Sequence, residues 1–220
     1  MKIKIKICGN LFLENSLMVA SYHPDYMGWI FSPFSPRRIN PYSAEKTILH
    51  IRNTFPSIKH VAVFAGNSVG DIAKIVGKGS FFDCIQIVEG AGFFQDLRRH
   101  IGVASGLDLI PAVRVRKNIT DMDLVRFGRV PFFVFDTYVK GQPGGTGKLL
   151  NTENIKQITR PYLLAGGLNS ENVAGILESF GKKLPLGVDV SSGIEDSPGL
   201  KNRELVELFI KRVKEAERSV

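Results

Sequence analysis

The chain has 220 residues, enough for one domain with a large buried core. It is 44% hydrophobic and 23% charged, and none of its apolar runs approaches the ~20 residues that a membrane helix needs. The net charge is +8, but the lysines and arginines are scattered, with no long basic block and no Arg/aromatic interleaving, so no nucleic-acid or membrane partner is expected.

The N-terminus alternates lysine and isoleucine and has no apolar signal core, which predicts a cytoplasmic protein. Ile3–Cys8 reads as the first strand and Glu14–Tyr22 as a short amphipathic helix. Strands are expected at Tyr26–Phe31, Lys59–Phe64, Asp83–Val88 and Ile110–Val115, with helices at Ser43–Thr54, Val69–Val76 and Phe93–Ile101. A weak helix at Thr120–Phe127 precedes a strand at Pro131–Asp136. A helical segment follows at Thr152–Ile158, then a strand at Tyr162–Ala165 and a helix at Ser170–Ser179. The last pair is Leu186–Val190 and Asn202–Glu217. Eight strand–helix units predict an α/β fold, a single-domain (β/α)8 TIM barrel over residues 1–220 with a parallel eight-stranded sheet. An open doubly wound sheet is not favoured, because no dinucleotide fingerprint marks a reversal of strand order.

Side-chain parity refines the first strand. Ile3, Ile5 and Ile7 share one face and should pack on the helices; Lys4, Lys6 and Cys8 then point into the barrel. A buried lysine needs a charged partner. Asp189, alternating with Val188 and Val190, is the expected partner of Lys6 or Lys4.

In such barrels chemistry is carried at the C-terminal strand ends. Two titratable groups stand there, Cys8 after the first strand and Asp136 after the strongly apolar sixth. A lone Asp after a strand is as readily a turn residue, but two such groups at the rim suit general acid–base chemistry. Cys84 reads as a small buried thiol, and the two cysteines lack metal-type spacing. Gly166-Gly-Leu-Asn169 and Ser191-Ser-Gly193 each follow a strand and leave backbone N–H groups bare, as an anion site requires. Arg37 and Arg38, in Ser35-Pro-Arg-Arg-Ile39, are either surface arginines or carboxylate receivers. The Gly-rich stretch 137–148 is not a Walker loop; it is a surface loop or one that closes over substrate.

Taken together these blocks resemble phosphoribosylanthranilate isomerase. They are Lys6-Ile-Cys-Gly9, Ser35-Pro-Arg-Arg-Ile39, Phe135-Asp-Thr137 with Gly144-Gly-Thr-Gly-Lys148, Leu164-Ala-Gly-Gly-Leu-Asn-Ser-Glu-Asn-Val173, and Val188-Asp-Val-Ser-Ser-Gly-Ile-Glu195 with Pro198-Gly199. The resemblance runs the full length, in family order. It implies an Amadori rearrangement of N-(5-phosphoribosyl)anthranilate to the open-chain ribulose phosphate, a step of tryptophan biosynthesis. It implies Cys8 as general base, Asp136 as a general acid kept protonated by its apolar strand end, and Arg37 facing the anthranilate carboxylate. Gly166, Gly167, Ser192 and Gly193 would hold the phosphate, and Gly144 and Gly145 would also bind substrate. No metal or other cofactor is implied; the partner is a phosphorylated small molecule, and the protein a monomer or homodimer. Two blocks depart from the family pattern: Cys8-Gly-Asn-Leu11 stands for Cys-Gly-Ile/Leu-Thr, and Gln86-Ile-Val-Glu for Gln-Leu-His-Gly. The alternatives are another phosphosugar isomerase or epimerase on the same barrel, which would not need Arg37 or the Cys8/Asp136 pair, and, less favoured, a non-catalytic anion- or nucleic-acid-binding protein.

Overall fold

The computed structural model describes residues 2–77, 81–101, 106–137 and 151–219. Its first strand, β1 (Lys4–Cys8), pairs in parallel with both β2 (Tyr26–Ile30) and β8 (Gly187–Val190), and that double pairing closes the sheet. Between them β3 (Lys59–Phe64), β4 (Cys84–Ile87), β5 (Asp108–Val115), β6 (Phe133–Thr137) and β7 (Tyr162–Leu164) follow in chain order, every neighbour parallel. The result is the expected closed eight-stranded barrel. Helices α1 (Leu13–Ala20), α2 (Pro41–Thr54), α3 (Val69–Val76), α4 (Ala91–Ile101), α5 (Asp121–Leu124) and α6 (Val173–Ser179) alternate with the strands.

Parity divides the apolar residues into two cores. Ile3, Ile5 and Ile7 join Met27, Trp29, Phe31, Phe64 and the helix faces in a shell outside the sheet. Cys8, Tyr26, Val61, Cys84, Ile110, Val134 and Leu163 fill the inside. Lys6 lies inside too, fully buried, and its Nζ meets Asp189 Oδ2 at 2.7 Å. Register explains the contact, because Lys6 is the direct neighbour of Asp189 where β1 meets β8. Lys4, one repeat lower, instead lies over the Tyr26 ring, 5.6 Å from its centroid. The parity expectation therefore holds for Lys6.

The helical boundaries moved where local chemistry overrides periodicity. Helix α2 starts at Pro41 rather than Ser43, because Asn40 caps it by accepting from the Tyr42 N–H at 2.9 Å and Pro suits the first turn. The weak helix after β5 is only the single turn of α5 followed by a 3-10 turn, Val125–Phe127, ended by Gly128 at φ +70°. The segment expected at Thr152–Ile158 is a 3-10 turn over Thr152–Ile155. Beyond β8 lies an element that periodicity did not announce, an antiparallel hairpin of β9 (Glu195–Ser197) and β10 (Leu200–Lys201). The chain then runs into α7 (Arg203–Ser219), which buries Val206, Phe209, Ile210, Val213 and Ala216 at helical spacing.

Two outcomes test this account. Replacing Lys6 by Met leaves Asp189 buried without its cation, so denaturant unfolding should show a loss of about 3–5 kcal/mol; a loss below about 1 kcal/mol would overturn the buried pair. In the outer shell, His60 Nδ1 accepts from Trp29 Nε1–H at 3.1 Å. Burial, aided by Arg52 and opposed by Asp83, pulls the His60 imidazole from the usual 6.5 to about 4. Only the unfolded chain binds that proton between the two values, so the His60 contribution is full above pH 6.5 and drains as pH falls towards 4. The loss should reach about 3 kcal/mol. Unfolding measured at steps from pH 7 to 4.5 should be steeper in wild type than in His60→Gln; equal slopes would contradict this.

Candidate active site

The C-terminal strand ends surround one cavity. Cys8 from β1, Asp136 from β6 and Arg37 from the loop after β2 line it, with Gly166, Gly167, Asp189, Ser191 and Ser192 from the last two strand ends. Gln86 and Val88 form the wall on the β4 side. The two rim groups singled out by sequence therefore share a cavity, held on strands three apart around the ring. Gly28 of β2 makes room for the thiol: a Cβ at that position would lie 2.6 Å from Cys8 Sγ.

Charge is concentrated beneath Cys8. Burial pushes its thiol up; Lys6 pulls it down, Asp189 pushes it up again and Lys201 pulls down, with the balance upward. Burial lowers Lys6, yet Asp189 and Cys8 outweigh it and hold the ammonium charged. Asp189 is pushed up by burial against the pull of Lys6. Two lysines thus give Cys8 positive surroundings, but desolvation exceeds them. Cys84, buried in the barrel, is pushed up to about 12 and stays a structural thiol.

Arg37 is held from behind. Its Nε donates to both carboxylate oxygens of Glu195, at 3.0 and 2.9 Å, and its Nη2 donates to Oε2 at 2.7 Å. The guanidinium fork offered by sequence to a ligand carboxylate thus already grips Glu195, leaving the Nη1 edge uncommitted among the described residues. Glu195 in turn meets Lys201 Nζ at 2.6 Å.

The two turns stand together at the mouth. Gly166 and Gly167 take φ of +90° and +70°, which only glycine adopts without strain. Asn172 braces the turn by donating to the Gly167 carbonyl at 2.9 Å and accepting from the Asn169 N–H at 2.9 Å. Ser192 opens a single 3-10 turn, where the first N–H groups have no intrahelical acceptor. Gly193 plays a different part from Ser192: a Cβ there would lie 2.0 Å from the Leu168 carbonyl oxygen, so the bare glycine lets the two turns pack. Gly144 and Gly145 lie outside the described residues.

Several cavity residues have polar atoms that the sequence reading gave no role in the site. Ser32 Oγ, Gln86 Oε1, Asp189 Oδ1 and Ser191 Oγ are buried polar atoms of the wall without a hydrogen-bond partner among the described residues. Glu195 and Lys201 also went unassigned, although Glu195 belongs to the Val188–Glu195 block and Lys201 follows Pro198-Gly199 closely; only the fold shows that they meet. No three His, Cys, Asp or Glu side chains cluster to hold a metal ion among the described residues.

Comparison with known proteins gives this site its context. The family model described as N-(5'-phosphoribosyl)anthranilate (PRA) isomerase matches residues 5–212. The N-(5'-phosphoribosyl)anthranilate isomerase of Leptospira borgpetersenii is 37% identical over 215 residues, covering 97% of this chain and 95% of that protein. The crystal structure of phosphoribosyl anthranilate isomerase from Thermotoga maritima superposes with a TM-score of 0.76 at 28% identity, covering 97% and 99% of the two chains. A phosphoribosyl anthranilate isomerase solved with reduced 1-(o-carboxyphenylamino)-1-deoxyribulose 5-phosphate superposes with a TM-score of 0.71 at 26% identity over the same shares. With the barrel and near full-length similarity in agreement, the chain belongs to the N-(5'-phosphoribosyl)anthranilate isomerase family, isomerases of tryptophan biosynthesis.

Proposed function

We propose that this chain converts N-(5'-phosphoribosyl)anthranilate to 1-(2-carboxyphenylamino)-1-deoxyribulose 5-phosphate, with Asp136 as general acid and Cys8 as general base. The observation that carries the reading is the convergence of Cys8, Asp136 and the two glycine- and serine-rich turns on one cavity. The solved relative that holds the reduced product analogue supports the substrate class.

Two proton transfers lead to the enolamine, and the rim has a group for each. Asp136 gives a proton to the ring oxygen as the C1–O bond breaks, and the nitrogen lone pair moves in to form the iminium. Cys8 thiolate then takes the proton from C2, and the electron pair of that C–H bond neutralises the iminium as an enolamine. Tautomerisation yields the ketone, so no atom is gained or lost. Acid and base must act on different atoms of one sugar, which suits their placement on β6 and β1. The phosphate sits against the N–H groups of Gly166, Gly167 and Ser192, with Gly193 keeping the two turns close and adding its own N–H. The Nη1 edge of Arg37 meets the anthranilate carboxylate while Glu195 holds the opposite edge.

The test is turnover of the phosphoribosylanthranilate by the purified chain. An inactive wild type would refute the substrate. Cys8→Ala and Asp136→Ala should each lose ~10²–10⁴-fold in kcat with the chain still folded; near-normal turnover in either removes that residue from its role. Because burial raises the Cys8 thiol, kcat/KM should climb on the alkaline side of neutrality as the thiolate forms, and an ascending limb wholly below pH 7 would exclude Cys8 as the base. Gly28→Ala, whose methyl would displace Cys8 Sγ, should cut kcat by up to ~10²-fold with little change in KM; an unchanged kcat would show that the thiol position is not critical.

A further inference from the structure

We propose that Lys201 is a positioning residue for this reaction: its ammonium ties the end of the Cys8 strand to the β8 turn and, through Glu195, sets Arg37 at the cavity wall. The proposal rests on the roles given above to Cys8 and Arg37.

The geometry is that of a junction rather than a simple ion pair. The Lys201 side chain is 0% exposed, so its charge must be fully compensated. An ammonium has three N–H donors. Here they have three acceptors: the Cys8 carbonyl at 2.5 Å, the Ser191 carbonyl at 3.2 Å and Glu195 Oε1 at 2.6 Å. Two of the three are backbone oxygens of the strand ends that carry the base and the phosphate turn. The third belongs to the carboxylate that grips Arg37 along its Nε–Nη2 edge. One atom thus joins the end of β1, the turn after β8 and the carboxylate behind Arg37.

Lys201 is itself held in place. Its backbone N–H donates to Asn15 Oδ1 at 2.8 Å, and Asn15 Nδ2 donates back to its carbonyl at 2.8 Å, fastening β10 to α1. Glu195 Oε1 also accepts from the Gly199 N–H at 3.2 Å, which folds the hairpin onto its own carboxylate. The hairpin tip is tight: a Cβ on Gly199 would lie 2.8 Å from Leu11 of the β1–α1 loop. A guanidinium is a larger, planar fork and an ammonium a compact point charge with three rotatable donors, which suits three oxygens around one buried atom. The same ammonium favours the Cys8 thiolate against the upward push of burial.

The test compares Lys201→Met and Glu195→Gln with wild type in the full chain. Circular dichroism checks folding; kcat and KM are measured with phosphoribosylanthranilate; iodoacetamide alkylation of Cys8 is followed against pH by the mass of its peptide. Lys201→Met should lose about 10-fold or more in kcat, and its Cys8 alkylation should turn on at higher pH than in wild type. Glu195→Gln removes the carboxylate that holds Arg37 and keeps Lys201 charged, so it should raise KM about 10-fold and move the alkylation profile upward by less than Lys201→Met does. If Lys201→Met fails to fold, Lys201→Gln, which keeps a donor without the charge, carries the same measurements. An unmoved alkylation profile in the folded Lys201 variant overturns the proposal, even if activity falls, because a merely structural lysine would behave so. Alkylation needs no substrate: a wild type without isomerase activity would refute the function, while a shifted profile would still support the placement of Cys8 by Lys201.

Discussion

The ion pair between Lys6 and Asp189 is the constraint on which the site depends. It sits inside the barrel at the seam where β1 meets β8, so it joins the first strand to the last. Two buried charges gain from each other only when their geometry is close and their remaining bonds are met. At 2.7 Å the first condition holds. The second holds only in part, since Asp189 Oδ1 has no hydrogen-bond partner among the described residues and lies in the cavity wall. The pair is therefore both a closure of the barrel and the charged floor of the site, and the unmet oxygen points to where an apolar core would have been the more stable choice.

That floor explains why Cys8 sits in a divided environment. A thiol below the rim loses solvation, which favours the neutral form. Lys6 and Lys201 work against this loss, while Asp189 adds to it. One lysine balanced by Asp189 gives little net field, so the second cation matters more than its distance along the sequence suggests. Lys201 in turn is balanced by Glu195, whose charge is shared with Arg37. Lys6, Lys201 and Arg37 thus stand against the carboxylates of Asp189 and Glu195, with burial lowering Lys201 against the pull of Glu195, and these basic surroundings suit an anionic ligand.

Much of this was legible in the residues. Alternation along Lys4–Cys8 is enough to turn Lys6 and Cys8 inward, and the same rule applied to Val188–Val190 supplies Asp189 as the partner. The turn residues at 166–167 and 191–193 are legible because only small residues leave backbone N–H groups open. Three things were not. One is the length and type of the short helical turns at 121–127 and 152–155, because so few residues carry too little of a period to mark them. The hairpin at 195–201 has strands of three and two residues, below any alternation signal. The pairing of Arg37 with Glu195 spans 158 positions and exists only once the barrel brings the β2 loop beside the end of β8. Gly193 was legible as a bare turn residue, but its close approach to Leu168 is a property of packing between two turns.

The departures from the family pattern fall on two different sides of the cavity. Beside Cys8, Asn10 stands for the pattern's aliphatic residue and Leu11 for its threonine, and Asn10 is buried with its Nδ2 donating to the Ile7 carbonyl at 2.9 Å and the Gly28 carbonyl at 3.0 Å. The backbone N–H groups of Gly9 and Asn10 reach that same Gly28 oxygen. The end of β1 is therefore pinned to β2 by several bonds, at the place where Gly28 leaves space for Sγ, so the altered sequence still holds the thiol in position. On the β4 side nothing comparable compensates. Val88 presents an apolar surface to the cavity, and Gln86 keeps an unmet Oε1 beside it. A wall that has lost a titratable donor contributes through shape and one amide rather than through charge. The two groups proposed for proton transfer stand on β1 and β6, apart from that wall, so on that proposal the divergence bears on how the substrate is gripped and not on how its protons move.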